Sequence, residues 1–216
     1  MKKGIRPMTD GPSRPVIGIA GGSGSGKTTI ALALADALGT KNVISQDLYY
    51  HPKPEGVRHK DRNYDEPDAI EWSLLARHVA ELAAGRSIMA PSYRYATADR
   101  GEPVEIIPAD GPVIVEGTMI LSPKAIRKSL DIAIHVEIDP EIQLERRIRR
   151  DVAERGCSPE ETLRMWNDTV LPMQRLHVDP GRIVADVVIG NVPTDVAVKA
   201  LLSRIPDLLV RSRRQN

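Results

Sequence analysis

The sequence predicts an α/β fold built on a central parallel sheet. Short apolar runs with strand-like composition alternate along the chain with longer helical patterns, the signature of strands joined by crossover helices. The first apolar run leads directly into a glycine-rich loop, and that loop into an Ala/Leu-rich helix former. With 216 residues the chain is long enough for one domain with a sizeable core.

Pro15-Val16-Ile17-Gly18-Ile19-Ala20 reads as the first buried strand. It is followed by Gly21-Gly22-Ser23-Gly24-Ser25-Gly26-Lys27-Thr28, which fits G-x-x-x-x-G-K-[ST], the phosphate-binding P-loop, and then by Thr29 and a helix over 27–38. Glycines let the backbone curl so that several N–H groups face one anion, and the helix N-terminus adds partial positive charge. Gly21 to Thr29 are therefore the candidate nucleotide-binding residues. Lys27 reaches the β- and γ-phosphates, and the Thr28 hydroxyl suits Mg²⁺.

Asn42-Val43-Ile44-Ser45 reads as a second strand, and Gln46-Asp47 follows it. In such sheets ligands sit at the carboxyl ends of strands. Asp47 is thus a candidate general base for an attacking hydroxyl, and also a candidate metal ligand; a plain helix N-cap is the structural alternative. Residues 51–67, rich in Pro, His and charge, read as an irregular loop. A helix is expected over 68–84, and residues 88–110 suit a small hairpin excursion.

Pro112–Val115 is a third strand ending at Glu116, whose carboxylate is placed to hold the shell of a magnesium ion, a rim ion pair being the alternative. Strands over 131–138 and 186–189 and helices over 140–155, 158–175 and 194–211 complete the pattern. In the helix over 140–155, Leu144, Ile148 and Val152 are spaced as an apolar stripe. Arg147 and Arg150 then share a flank away from it and could clamp phosphate oxygens in a transition state, or else form a solvated basic face.

Composition excludes other classes. Thirty basic against twenty-nine acidic side chains give no global support for a nucleic-acid or membrane-surface role. The apolar runs are too short to span a bilayer, and the basic N-terminus lacks the apolar core of a signal peptide. One cysteine suits a reducing cytoplasm. No Cys/His spacing suggests zinc, and no Asn-Lys-x-Asp suggests a GTPase switch. Trp72 and Trp166 read as packing residues, and Cys157 as an ordinary turn residue.

The ordered motifs resemble the uridine–cytidine kinase and phosphoribulokinase family. The loop over 21–29 with Ser45-Gln46-Asp47-Leu48-Tyr49-Tyr50, Asn63-Tyr64-Asp65-Glu66-Pro67-Asp68-Ala69, Pro91-Ser92-Tyr93-Arg94-Tyr95 with Arg100, Val115-Glu116-Gly117, Arg146-Arg147-Ile148-Arg149-Arg150-Asp151, Glu154-Arg155-Gly156 and Ala185-Asp186-Val187-Val188-Ile189 are similar to its segments, in order, across residues 14–210. The resemblance implies a three-layer P-loop NTPase fold with a central parallel sheet, a small β-hairpin excursion and a helical arginine lid. It implies one kinase domain over 14–216, a hairpin at 88–110, a lid at 140–160 and a flexible tail at 1–13. It implies ATP and Mg²⁺ as cofactors and transfer of phosphate to a nucleoside 5′-hydroxyl. Asp47 would be the base and Lys27, Arg150 and Arg155 would act on the phosphates. Asp65 and Arg147 would hold ribose hydroxyls, and Tyr50, Tyr64, Tyr93 and Tyr95 would surround the base, with Arg100 beside them.

Three positions depart from the family pattern. Ala98 stands where the family has a histidine that reads the pyrimidine edge, Cys157 where the lid has a second arginine, and Met165 where a glutamine is expected. Two further readings therefore stay open. One is a kinase of a sugar phosphate, served by Lys53, Arg58, His59, Lys60, Arg62, Arg94 and Arg100; the other is a nucleotide-binding regulator without turnover. Nucleic acid and membrane are not expected partners, and the sequence is compatible with a homo-oligomer.

Overall fold

The computed structural model describes residues 13–56, 62–94 and 99–215, with side chains to residue 212. Tyr95 and Ala98, the loop residues Arg58, His59 and Lys60, and the expected tail except Ser13 lie outside the described residues.

Five strands, β1 (Val16–Gly21), β2 (Val43–Ser45), β5 (Val113–Gly117), β6 (Ile132–Val136) and β7 (Val187–Ile189), form one sheet in the order β2-β5-β1-β6-β7. Every pairing in it is parallel. The strands are apolar along most of their length because both faces are covered. Ile17 and Ile19 face one core, shared with Ile30 and Leu34 of α1 (Lys27–Ala37) and Leu201 and Ile205 of α8 (Thr194–Gln215). Val16 and Ala20 face the other, shared with Leu75, Val79 and Leu82 of α2 (Trp72–Ala83) and Ile126 of α3 (Lys124–Arg127). The alternation in β1 thus builds the three layers directly.

The expected excursion is an antiparallel hairpin of β3 (Ile88–Arg94) and β4 (Asp99–Ile106), with a bulge between Ala90 and Ser92, around Pro91. Proline has no N–H for the ladder, which fits its place at the irregularity. Trp72 packs at the start of α2, its indole N–H donating to the Pro67 carbonyl at 2.7 Å, and Trp166 is buried.

The helix over 140–155 is α4 (Pro140–Arg155), opened by the Asp139 side chain accepting from the Glu141 N–H and closed by Gly156 at φ 67°. The single helix expected over 158–175 is replaced by a broken one. It runs as α5 (Pro159–Met165), a π turn (Trp166–Val170), α6 (Leu171–Met173), a second π turn (Gln174–Val178) and α7 (Gly181–Val184). Pro172 explains the first departure. It offers no N–H to the carbonyl four residues back, and the Leu171 N–H reaches five residues back to Trp166 instead. The Asp179 N–H makes the same longer reach to the Gln174 carbonyl, at 2.9 Å.

Asn42, fully buried ahead of β2, fastens the segment that feeds β5. Its amide donates to the Ala109 carbonyl at 2.8 Å, and its side-chain oxygen accepts from the Ala109 N–H at 2.7 Å. Asn42→Ala strands both backbone groups. It should lower stability by about 3 kcal/mol, read as a drop in melting temperature, while turnover at 25 °C stays near wild type.

Candidate active site

The glycine-rich loop leaves β1 and enters α1 at Lys27. Gly24 has φ 80°, in the left-handed region, and a Cβ there would stand 2.5 Å from the Gln143 carbonyl oxygen of α4. A Cβ on Gly22 would collide with the side-chain oxygens of Gln143 and Gln174. The loop therefore needs glycine at these two positions for close approach of α4 and of the second π turn, besides its use toward a phosphate.

Glu116 ends β5 nearly buried, level with Ile19 of β1 and Ser45 of β2. The Thr28 hydroxyl donates to its carboxylate at 3.0 Å. Two oxygen groups in contact at the mouth of a phosphate loop suit a hard cation such as Mg²⁺, which commonly takes one or two protein oxygens and completes its shell with phosphates and water. Among the described residues no group of three His, Cys, Asp or Glu side chains could hold a metal by itself.

Asp47 follows β2 on a 3₁₀ turn (Gln46–Tyr49), its N–H bonded to the Ser45 hydroxyl at 3.3 Å. Gln46 anchors that turn beneath β5: it is fully buried and accepts from the Met119 N–H at 2.8 Å. Tyr49 is anchored as well, its hydroxyl 2.8 Å from Nδ1 of buried His78. Burial, with Arg77 nearby, holds the His78 ring below the usual histidine range.

Asp65 lies in the same field. Burial is the main cause that raises its pKa, and the neighbouring charges acting on it are Arg147, Asp47, Lys27 and Arg155. Arg147, Asp47, Lys27 and Arg155 are thus close enough for their charges to act on Asp65. Tyr50, Tyr64 and Tyr93 form a connected aromatic wall beside it. Ring centroids are 5.5 Å apart for Tyr50 and Tyr64, edge to face, and 5.2 Å for Tyr50 and Tyr93. Arg62 sits 4.9 Å above the Tyr64 ring. Arg100 belongs to the frame of this wall. It pairs with Glu71 at 2.5 Å and donates to the Tyr50 carbonyl at 3.1 Å, tying β4 to the turn after β2.

The arginine lid corrects the expected orientation of α4. Leu144 and Ile148 are only half-buried and Val152 is 45% exposed, whereas Gln143, Arg147 and Asp151 form the buried stripe. The helix packs against a polar loop rather than an apolar core, so its polar face turns inward. Arg147 donates to the Ser23 hydroxyl at 3.0 Å and Arg150 to the same oxygen at 3.4 Å. Asp151 receives Arg147, Arg150 and Arg155 at 3.2, 2.9 and 3.3 Å. Arg146 reaches over the loop to the Gly24 carbonyl and to Asn191 after β7, at 3.5 and 3.1 Å. Sequence reasoning gave no role to Gln143, Arg146, Asp151, Gln174 or Asn191. The four-residue spacing of Arg147, Asp151 and Arg155 was the readable signal for Asp151.

The raised pKa of Asp65 sets a sign. Its charged form is disfavoured in the folded protein, so its contribution to stability falls as pH rises through the interval between the unfolded and the raised folded pKa. Asp65→Asn should therefore raise the melting temperature at pH 7. The gain should shrink as pH falls below the ordinary aspartate range near 4, measured as a pH series of thermal melts against wild type.

Comparisons with known proteins show the family of the chain. The model of the Phosphoribulokinase / Uridine kinase family matches residues 16–198. The uridine kinase of Halobacterium salinarum is 36% identical over 193 residues, covering 88% of this chain and 85% of that protein. The uridine kinase of Listeria monocytogenes serotype 4a is 34% identical over 200 residues, covering 90% and 95%. A solved structure described as a possible uridine kinase from Bacillus stearothermophilus shares the fold, with a TM-score of 0.57 at 20% identity over 83% of this chain and 90% of that one. A family model that spans residues 16–198 and relatives that align over most of their length place the chain in the phosphoribulokinase/uridine kinase family.

Proposed function

We propose that the protein transfers the γ-phosphoryl group of ATP to the 5′-hydroxyl of a nucleoside, with uridine or cytidine as the best-fitting acceptors. The observation that carries this reading is the contact of Thr28 with Glu116 at the mouth of the glycine-rich loop, with Arg147 and Arg150 bonded to Ser23 of that loop and a wall of Tyr50, Tyr64 and Tyr93. The names of the curated relatives support the same acceptor class.

In this reading the loop backbone from Gly21 to Thr29 cradles the phosphates and Lys27 neutralises their charge. Thr28 and Glu116 would hold Mg²⁺, which supplies charge neutralisation on the phosphate oxygens; Asp47 adjoins them as a further candidate ligand. Asp65 and Arg147 would orient the ribose, and the tyrosines, with Tyr95, would hold a flat base. Asp47 accepts the proton of the acceptor hydroxyl. The hydroxyl oxygen forms a bond to the γ-phosphorus, the bond from that phosphorus to the β,γ-bridging oxygen breaks, and ADP leaves with the electron pair. Arg150 and Arg155 meet charge that spreads over the phosphoryl oxygens. A lone, half-buried Cys157 fits a reducing cytoplasm.

The sugar-phosphate reading draws on the cations around the acceptor pocket. Arg100 is engaged by Glu71 and the Tyr50 carbonyl, and Arg62 by the His51 carbonyl and the Tyr64 ring, which favours the nucleoside.

Asp47→Asn should lower turnover by about a hundredfold or more while ATP affinity stays near wild type, checked by steady-state kinetics and calorimetry. A panel of nucleosides and sugar phosphates assayed for ADP formation tests the acceptor. Response to sugar phosphates alone would replace the nucleoside reading, and tight ATP binding with no acceptor turned over would favour the regulator.

A further inference from the structure

We infer that Asp151 is the positioning residue of the lid: a buried carboxylate that aims the arginines of α4 at the phosphate loop and thereby sets the turnover rate. The inference rests on the reading of Arg150 and Arg155 as the groups that meet the phosphates, and it adds to that reading the residue that makes them effective.

Asp151 is 1% exposed, on a helix rich in arginine. Three guanidinium groups converge on it. Arg147 and Arg155 come from one turn before and one turn after, and Arg150 from the adjacent position. Arg150 donates a hydrogen bond to the carboxylate at 3.0 Å, whereas the Nε of Arg147 makes an ion pair without a hydrogen bond. Both oxygens are used: Arg147 lies against Oδ2, Arg150 and Arg155 against Oδ1. Two of the same arginines also reach the Ser23 hydroxyl in the middle of the phosphate loop. The carboxylate is therefore the common node of the chain loop–arginine–helix.

Three arginines without a shared anchor would repel one another and extend into water. Anchored, they pay little reorganisation when charge develops on a phosphoryl group, and such preorganised donors are among the largest contributors to catalysis. Asp151 does this at one remove: it binds the arginines, of which Arg150 and Arg155 face the phosphates in this reading. The side chains that surround it most closely are guanidinium groups, so its role is orientation rather than proton transfer. A carboxylate serving only to balance charge could be lengthened without consequence; one that positions could not.

Asp151→Asn, Asp151→Glu, Arg150→Ala and the double variant Asp151→Asn/Arg150→Ala separate these roles. Turnover, the KM for uridine and for ATP, and thermal melts are measured for each. Asp151→Asn should lower kcat by about thirtyfold through Arg150 and Arg155, and raise the uridine KM by up to about tenfold through Arg147. Asp151→Glu keeps the charge but displaces it, and should lower kcat by about tenfold with a melting temperature near wild type. That variant decides the matter if Asp151→Asn does not fold. The double variant should be slower than Arg150→Ala, through Arg147 and Arg155, but by clearly less than the roughly thirtyfold that Asp151→Asn costs alone, because part of the aspartate's effect runs through Arg150. Wild-type turnover in Asp151→Glu, or losses that multiply in the double variant, would overturn the positioning role. If Arg150→Ala is slow while Asp151→Asn turns over normally, only the role of Asp151 fails. If Arg150→Ala and Asp151→Asn both turn over normally, the phosphate reading of the lid fails with it.

Discussion

Helix α4 lies across the phosphate loop with almost no space between them, and much of the site follows from that contact. The Gln143 carbonyl occupies the place where a side chain at position 24 would stand, and the amides of Gln143 and Gln174 occupy the place of one at position 22. The loop is thereby held from outside. The same contact decides which face of α4 is buried. The face of α4 turned inward is Gln143, Arg147 and Asp151, and Arg147 donates from it to the Ser23 hydroxyl of the loop. Burying these charges is tolerable because they are paired with one another and bonded to Ser23.

The sheet was legible because its rule is local. Parallel strands covered on both faces are apolar runs, and each run from Val16 to Ile189 lies within a residue or two of its expected place. The hairpin was legible for the same reason. The buried face of α4 was not, because an apolar stripe of Leu144, Ile148 and Val152 is the ordinary cue for a core-facing helix, and here the surface it meets is not a core. The broken helix after α5 was missed although Pro172 was visible, since one proline can kink a helix, end it or widen it into a π turn, and packing selects among these. The contact of Thr28 with Glu116 was legible because the phosphate motif fixes where the neighbouring strand end must lie. Arg100 was legible as a residue of the acceptor wall, but its partners Glu71 and the Tyr50 carbonyl are distant in sequence, and nothing local announces them.

The two halves of the site differ in how they are held. The phosphate half is built on strand ends and a helix start, and its carboxylates are fixed by Thr28 and by the buried anchor Gln46. The acceptor half is assembled from a loop, a 3₁₀ turn and a hairpin that meet through tyrosine rings and the Arg100 bridge. Loops carried on a rigid scaffold are where related enzymes differ in what they bind. Family membership therefore speaks most directly to the phosphate half, and the alanine at position 98 bears on the acceptor half, where a lost hydrogen-bonding group shifts specificity.

The central claim is that Asp47 faces the hydroxyl that receives the phosphoryl group, with the lid arginines on the opposite side of that group. A crystal structure of the protein with uridine and a non-hydrolysable ATP analogue with Mg²⁺ tests it most directly. The account predicts an Asp47 carboxylate oxygen within hydrogen-bond distance of the 5′-hydroxyl, about 3 Å, with Arg150 and Arg155 on the γ-phosphate. An acceptor hydroxyl held away from Asp47, or a γ-phosphate that neither arginine touches, would contradict it.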